Sequence, residues 1–563
     1  MSIYEIIFPD FQKDIQSDYI ANITSRNWQV VTRFAPSPTG FLHIWWVYTS
    51  LISRSFARQN NGKFILRIED TDQNRKIENG TKQIVRELGA FDIIADEGPV
   101  LEWDTNIKYI WDYWPYIQSE RLDIYKAMAC KMLDLWLAYA CFLTSEELDE
   151  TRKIQTISKQ PTGIYGHFSK YRNLTPEQIQ ELLNDGKPFV IRLKSPAKPW
   201  DRMSFDDLVK WYIHIDDNFE DVILLKSDGF PTYHFAHIVD DYMMGTSHVI
   251  RTDERLASTP KHIQIYNILL NAKIFDRPIW KYVHPSPVMK NDGGNRRKLS
   301  KRKDPEAKAS FFTDVGYPIW AIKEYLLTII DTKYNDAKSK NINAIYSTMD
   351  FANFSTAGAI MDIQKLDHFS AEYIYNMNLD ELVQNFAHYH MSADYLKSIN
   401  IPFEKNDKSI EYIKQILWFD REKKVFKNYL DIYNYVNPFF DQYFNNIDKS
   451  DSLTSSPISR DIQNKFKSEY VAYIYNIFDE NWVLNITKEK RFEDLKWFAN
   501  RYNVALTNWQ FKEWQANWNP YIAKIWDLAA LLRIYIYGST TSPDLYNMIW
   551  ILGKDKVVKR LSK

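Results

Sequence analysis

Residues 30–46 read V-V-T-R-F-A-P-S-P-T-G-F-L-H-I-W-W, and no other stretch of the chain narrows the fold as far. Val30, Val31, Arg33 and Phe34 read as a short buried strand. Pro36 and Pro38 stiffen the loop that follows, and helical spacing runs from about Ile44 to Asn60. A strand running through a tight loop into a helix N-terminus is how α/β proteins build phosphate sites. The first helical turn offers free N–H groups and partial positive charge to an anion. The chain is therefore expected to be α/β around this unit.

Two later stretches extend the pattern. Gly62 to Asp72 (G-K-F-I-L-R-I-E-D-T-D) predicts a second strand, Phe64 to Ile68, with Glu69, Asp70 and Asp72 at its C-terminal end, where α/β folds bind ligands. Residues 222–260 predict a strand, an Asp228-Gly229 turn and a returning strand, with Tyr233, His234, Asp240, Asp241 and Arg251 set into apolar surroundings. Six of the eight residues from Arg296 to Lys303 (R-R-K-L-S-K-R-K) are basic, and they follow Asp292-Gly293-Gly294. A basic run alone reads as a solvated face or a nucleic-acid patch.

Taken together, these stretches resemble the class I aminoacyl-tRNA synthetases, specifically the bacterial glutamyl-tRNA synthetase family. In that family, R-F-A-P-S-P-T-G-x-L-H-I carries the HIGH motif, here Pro36 to Trp46, and K-L-S-K-R carries the KMSKS motif, here Lys298 to Arg302. The resemblance is dense over 31–125 and 222–327. It implies an α/β fold: a Rossmann-like nucleotide-binding catalytic domain with an inserted acceptor-binding domain, then an all-helical C-terminal anticodon-binding region. The expected divisions are an extension (1–28), the first catalytic half (29–150), the acceptor-stem insertion (151–221), the second catalytic half with stem contacts (222–390) and the helical region (391–563).

The implied reaction is ATP-dependent activation of L-glutamate to glutamyl-adenylate, then transfer of the glutamyl group to the 3′ end of tRNA(Glu). Charging of tRNA(Gln) is left open. The resemblance assigns catalysis to His43, Lys298 and Lys301, glutamate binding to Arg33, Ala35, Ser37, Glu69, Tyr233 and Arg251, and ATP binding to His43, Trp45, Glu254 and Lys301. Mg²⁺ is implied with ATP, held mostly by phosphates. Two alternatives remain: a glutaminyl-tRNA synthetase-like enzyme, and a catalytically inactive tRNA-binding paralogue.

Composition sets limits on partners. A net charge of −1 gives no global attraction to nucleic acid, so tRNA binding must use local basic patches. Two cysteines, Cys130 and Cys141, exclude a disulfide framework and a cysteine-rich zinc site, so no zinc is expected. No apolar run reaches membrane-spanning length, and the first 18 residues lack a signal-peptide pattern. A cytoplasmic monomer without a membrane partner is the expectation.

Glycine is scarce. Average usage of about 7% would give roughly 39 glycines; the chain has 16, against 19 tryptophans. Trp45, Trp46, Trp111, Trp114, Trp136, Trp211 and Trp526 stand at positions that favour glycine. In the family, glycine follows His-Ile because the adenosine lies against the backbone there, so an indole at Trp45 would block ATP. One explanation covers all seven: a UGA codon that the cell reads as glycine has been translated as tryptophan. If Trp45 and Trp46 are genuine, the inactive paralogue follows instead.

Overall fold

The structure, a computed structural model, describes residues 2–11, 29–75, 77–102, 106–110, 115–279, 281–300, 302–334, 349–392, 407–418, 426–478, 484–507, 510, 523–540 and 543–562. The chain divides into two compact units, residues 1–312 with 322–362, and residues 313–321 with 363–563.

The first unit is built on parallel strands. Val31–Phe34 pairs in parallel with Lys63–Leu66. Ser247 N donates to Val31 O (3.0 Å), bringing His248–Ile250 alongside, and that strand pairs in parallel with Lys281–Val283. All four residues of Val31–Phe34 are buried, as expected for a parallel strand covered on both faces. The helix Ile44–Gln59 covers this sheet and is tied to it where Thr32 Oγ1 donates to Ser53 O. An antiparallel sheet follows, with Val190–Leu193 between Ala138–Cys141 and Ile223–Leu225. Ile179, Ile191 and Leu193, from within 151–221, share one core with Val31, Ile65 and Tyr125. Ile3 and Ile7 of the short helix Ile3–Ile7 also enter that core, so the beginning of the chain is packed; residues 12–28 lie outside the described residues.

The expected second strand after Asp228-Gly229 is corrected by the structure: Tyr233–Met243 is a helix, N-capped at Thr232. Tyr233, His237, Asp240 and Asp241 are spaced four, three and one residues apart. This is helical spacing, which puts all four on one face; the neighbouring apolar run had masked it.

The second unit is mainly helical. Its core gathers Ile374, Phe386, Ile413, Ile432, Phe466, Leu531 and Ile549 from seven helices between residues 363 and 562. Packing of this helical unit thus begins ahead of residue 391. Arg560 is buried and donates to Asp441 Oδ1 (2.9 Å), Pro438 O and Ile536 O.

Gly62 joins the helix Ile44–Gln59 to the strand Lys63–Leu66. A Cβ there would meet Val30 O at 2.1 Å. Gly62→Ala is expected to lower stability by about 2 kcal/mol or more, whereas Gly89→Ala, with open space in the helix Gly80–Ala90, should raise it by about 0.5 kcal/mol. Denaturant titration of both variants checks the pair; equal effects would contradict the packing at Gly62.

Candidate active site

A cavity of about 420 Å³ opens at the C-terminal ends of Val31–Phe34 and His248–Ile250, beside the N-termini of Ile44–Gln59 and Tyr233–Met243. Open α/β sheets place ligands at this end of their strands. The lining includes Arg33, Ala35, Ser37, Trp45, Glu69, Tyr233, Arg251 and Glu254, so eight of the residues singled out in the sequence surround one space.

Its floor is a buried ionic network. Arg33 pairs with Asp241 through both Nε (2.9 Å) and Nη2 (3.1 Å). Arg67 donates to Asp241 Oδ1 (2.8 Å) and Glu69 Oε1 (2.9 Å). Asp240 accepts from Arg121 Nε, Gln118 Nε2 and Tyr125 OH, each at 2.8 Å. Burial pushes the Asp241 carboxyl up, but Arg33, His237 and Arg67 outweigh it and hold it well below the usual carboxylate range. Burial likewise pushes Glu69 up, and His237 and Arg67 bring it down to about 2. Both partners of Glu69 use Oε1; Oε2 has no partner among the described residues. Arg33 was expected to pair with a substrate carboxylate; it lines the cavity, with Nε and Nη2 on Asp241 and Nη1 donating to Ile250 O (3.2 Å).

Arg251 differs. Its buried guanidinium donates to His284 Nε2 (3.3 Å), contacts His262 Nδ1 (2.8 Å) and donates to Thr259 Oγ1 (2.7 Å). No carboxylate touches it among the described residues. A guanidinium has five N–H groups, so two remain for a ligand. For His262 and His284 to accept from Arg251 they must be neutral. His284 then carries its proton on Nδ1, facing Asp207 Oδ2 (2.7 Å), and His262 carries its proton on Nε2, facing His234 Nδ1 (2.9 Å). Burial is the main cause that lowers both, with Arg251 opposing a second positive charge. Tyr233 lines the same space, and its hydroxyl makes no hydrogen bond among the described residues.

At the rim, His43 caps the helix Ile44–Gln59: its Nδ1 accepts from Trp45 N (3.2 Å). That fixes the remaining ring proton on Nε2, a donor suited to a phosphate oxygen. His43 is outside the cavity lining; Trp45 is part of it, and the two rings meet edge-on with centroids 4.9 Å apart. Lys298 also falls outside the lining but pairs with Glu254 Oε1 (2.8 Å), which is part of it. The hairpin Val288–Asp292/Asn295–Lys298 leads into this loop and is pinned by Asp304, which accepts from Arg297, Lys290 and Ser300 N. Lys301 lies outside the described residues.

Sequence reasoning missed Arg67, Arg121, His237, His262, His284 and Asp207. One signal was available: Arg67 interrupts the apolar F-I-L-R-I strand, and a charge there needs a buried partner. Asp70, expected at a ligand, instead accepts from Ser119 N and Oγ and holds the turn Gln118–Glu120.

Residues 29–368 match the profile of tRNA synthetases class I (E and Q), catalytic domain, and residues 475–563 match that of an anticodon binding domain. The chain is 33% identical to the glutamate–tRNA ligase of Acetivibrio thermocellus, covering 99% of this chain and 98% of that protein. It is 35% identical to that of Clostridium beijerinckii, covering 95% and 93%. A crystal structure of a glutamate tRNA ligase from Elizabethkingia meningosepticum in complex with its amino acid superposes with a TM-score of 0.68 at 26% identity, covering 95% of this chain and 98% of that one.

Burial lowers His234 and His248 to about 4. Neutral in the fold but titrating near 6.5 once unfolded, each contributes stability that is complete above that pH and declines as pH falls toward 4. The slope approaches about 1.4 kcal/mol per pH unit for each histidine. Denaturant titrations at pH 7.5, 6.5 and 5 should show a flat step and then a fall; rising stability between 6.5 and 5 would contradict the neutral assignment.

Proposed function

The chain belongs to the class I tRNA synthetases of the glutamate and glutamine type, and on that footing we propose that it is a glutamate–tRNA ligase. It would use ATP to convert L-glutamate to glutamyl-adenylate and pyrophosphate, then pass the glutamyl group to a terminal hydroxyl of tRNA(Glu). The observation that carries the choice of glutamate is Arg251, a buried cation facing the cavity with neutral partners only. A carboxylate would complete its pairing; the neutral amide of glutamine would leave it short of charge.

The remaining roles suit the chemistry of each side chain. Glu69 Oε2 takes the substrate ammonium, and the hydroxyls of Tyr233 and Ser37 orient the amino acid. His43 Nε2–H donates to the phosphates. Lys298 and Lys301 bring compact charges to the triphosphate from the loop. Neither step needs a covalent enzyme nucleophile, since positioning and charge stabilisation suffice. Mg²⁺ would enter on the phosphate oxygens: the cavity carboxylates Asp72 and Glu254 are already paired with Arg75 and Lys298, so no protein ligand is named. Action as a monomer in the cytoplasm belongs to the same proposal. Among the described residues, no helix is long and apolar enough to cross a membrane.

One observation favours a second reading, a tRNA-binding protein that does not catalyse: the Trp45 indole stands in the cavity. ATP-dependent attachment of labelled glutamate to tRNA(Glu), with glutamine as control, separates the two when run on the chain as written and on Trp45→Gly. Charging of glutamate and not glutamine supports the ligase. tRNA binding with no charging by either protein supports the second reading. Within an active protein, Arg251→Gln should lower kcat/KM for glutamate by about 100-fold. Lys298→Ala should lower kcat more than it raises KM. Unchanged glutamate kinetics in Arg251→Gln would remove the carboxylate role.

A further inference from the structure

The ten tryptophans among the described residues are placed unlike tryptophans. Eight, at 136, 200, 211, 320, 418, 497, 526 and 550, are exposed by 41% to 79%; the other two, Trp45 and Trp46, line the cavity. The residue type that ordinarily buries most surface makes no part of either described core, which Phe, Tyr and aliphatic side chains fill.

Three of the eight sit in backbone conformations that favour glycine, each in a different way. Trp136 follows the helix Leu122–Asp134 with φ +55. Its N–H donates to Leu133 O (3.0 Å), and Leu137 N donates to Met132 O (2.8 Å). This pair of bonds is the Schellman helix end, whose left-handed residue is usually glycine; the same bonds follow the helices Pro176–Asn184 and Tyr233–Met243, where Gly186 and Gly245 hold that position. Trp200 is the third residue of the turn Lys198–Asp201, closed by Asp201 N to Lys198 O (3.1 Å), with Pro199 before it and φ +77. Proline second and a residue near +80° third define a type II turn, the Pro-Gly turn. Trp211 opens the returning strand of the hairpin Arg202–Asp207/Trp211–Asp216 after a three-residue loop, with φ +64. A left-handed residue where a hairpin turn meets its returning strand is ordinarily glycine, asparagine or aspartate. Nine non-glycine residues have positive φ among the described residues, and three are tryptophan. Asn61, Asn79, Asp92 and Asn503 are the types that tolerate it; the other two, Lys159 and Lys273, hold the same two-bond helix end as Trp136.

Trp45 adds a fourth position by a different observation. It is 7% exposed, its indole Nε1 is buried without a hydrogen-bond partner among the described residues, and its ring lines the cavity while lying edge-on to the His43 ring, which does not. A buried indole ordinarily finds an acceptor. Trp526, singled out in the sequence, gains no such support, because it is the second residue of the helix Ile525–Tyr537. Trp111 and Trp114 lie outside the described residues.

We infer that positions 45, 136, 200 and 211 are glycine in the protein its own cell makes, one codon there being read as glycine where the sequence as written has tryptophan. Position 45 is then the determinant of nucleotide entry. Glycine bares the first turn of the helix Ile44–Gln59 and opens the space between the cavity and His43; tryptophan closes it.

The deciding experiment is peptide mapping by mass spectrometry of the protein isolated from its own cells. Glycine at the four positions is expected; tryptophan at them overturns the inference. Two recombinant readouts are independent of that source. The triple variant Trp136→Gly, Trp200→Gly, Trp211→Gly should melt about 2 °C or more above the chain as written, because relief of left-handed strain exceeds the entropy that glycine adds. Trp550→Gly, inside the helix Leu545–Ser562, should melt lower. A triple variant that melts lower overturns the backbone argument. Trp45→Gly should bind ATP at least about tenfold tighter than the chain as written, a shift of about 1.4 kcal/mol; equal binding removes the gate. This last arm rests on the ligase reading. Peptide mapping and melting do not, so the two failures are distinguishable.

Discussion

The pair of acidic residues Asp240 and Asp241 holds the catalytic unit together. Asp241 receives Arg33 from the first strand and Arg67 from the end of the second; Asp240 receives Arg121, Gln118 and Tyr125 from the segment after Ile117. One helical turn thus joins pieces of chain more than 200 residues apart in sequence, as Arg33 and Asp241 are. Burying charges is costly, and such networks hold only when every partner is present. Removal of either carboxylate would strand guanidiniums in the interior, whereas the intact set balances three cations with Asp240, Asp241 and Glu69. The floor of the cavity is rigid for that reason, and its own charges are already matched.

Against that balance Arg251 stands out. A carboxylate partner from the protein would compete with any substrate carboxylate, and binding would then exchange one ion pair for another. Neutral histidines avoid the exchange: they fix the direction of the guanidinium and leave its charge uncompensated at contact distance. Asp207 acts at one remove, by fixing the tautomer of His284. Burial keeps the chain of imidazoles neutral, because protonating any of them would place a second positive charge beside the first. The result is a cation that is oriented but unspent, which is what discrimination between a carboxylate and an amide requires.

Local signals made much of this legible in the sequence. The strand, stiff loop and helix around Pro36 and His43 and the acidic end of the second strand follow from short-range rules and are present; Arg296 to Lys298, read as part of a basic loop, form a hairpin strand, and Lys301 lies outside the described residues. The helix Tyr233–Met243 was misread because its polar face is the buried one, so apolar patterning pointed the wrong way. The histidines around Arg251 carried no local signal: His262 and His284 come from a helix and a strand end, and their role exists only once Arg251 lies between them. Pairwise chemistry across the sheet is not encoded in spacing along the chain.

Glycine positions are a different kind of information, because they are fixed by backbone geometry alone. A left-handed residue at a helix end, the third place of a Pro-initiated turn and the left-handed start of a returning hairpin strand are each set by the elements on either side, whatever side chain is written there. The hydrogen bonds that close these turns come from Leu137, Asp201 and their neighbours, so the geometry does not depend on the indoles. The exposed indoles of Trp200 and Trp211 pack in neither core, and the Trp136 ring has only the Lys194 ammonium over it (4.9 Å), so surface burial explains none of the three. The same reasoning reaches the cavity, where the first turn of a helix can bind an anion only if its approach is bare. At position 45 it is the cavity and the unmatched indole N–H, not the backbone, that ask for a smaller residue.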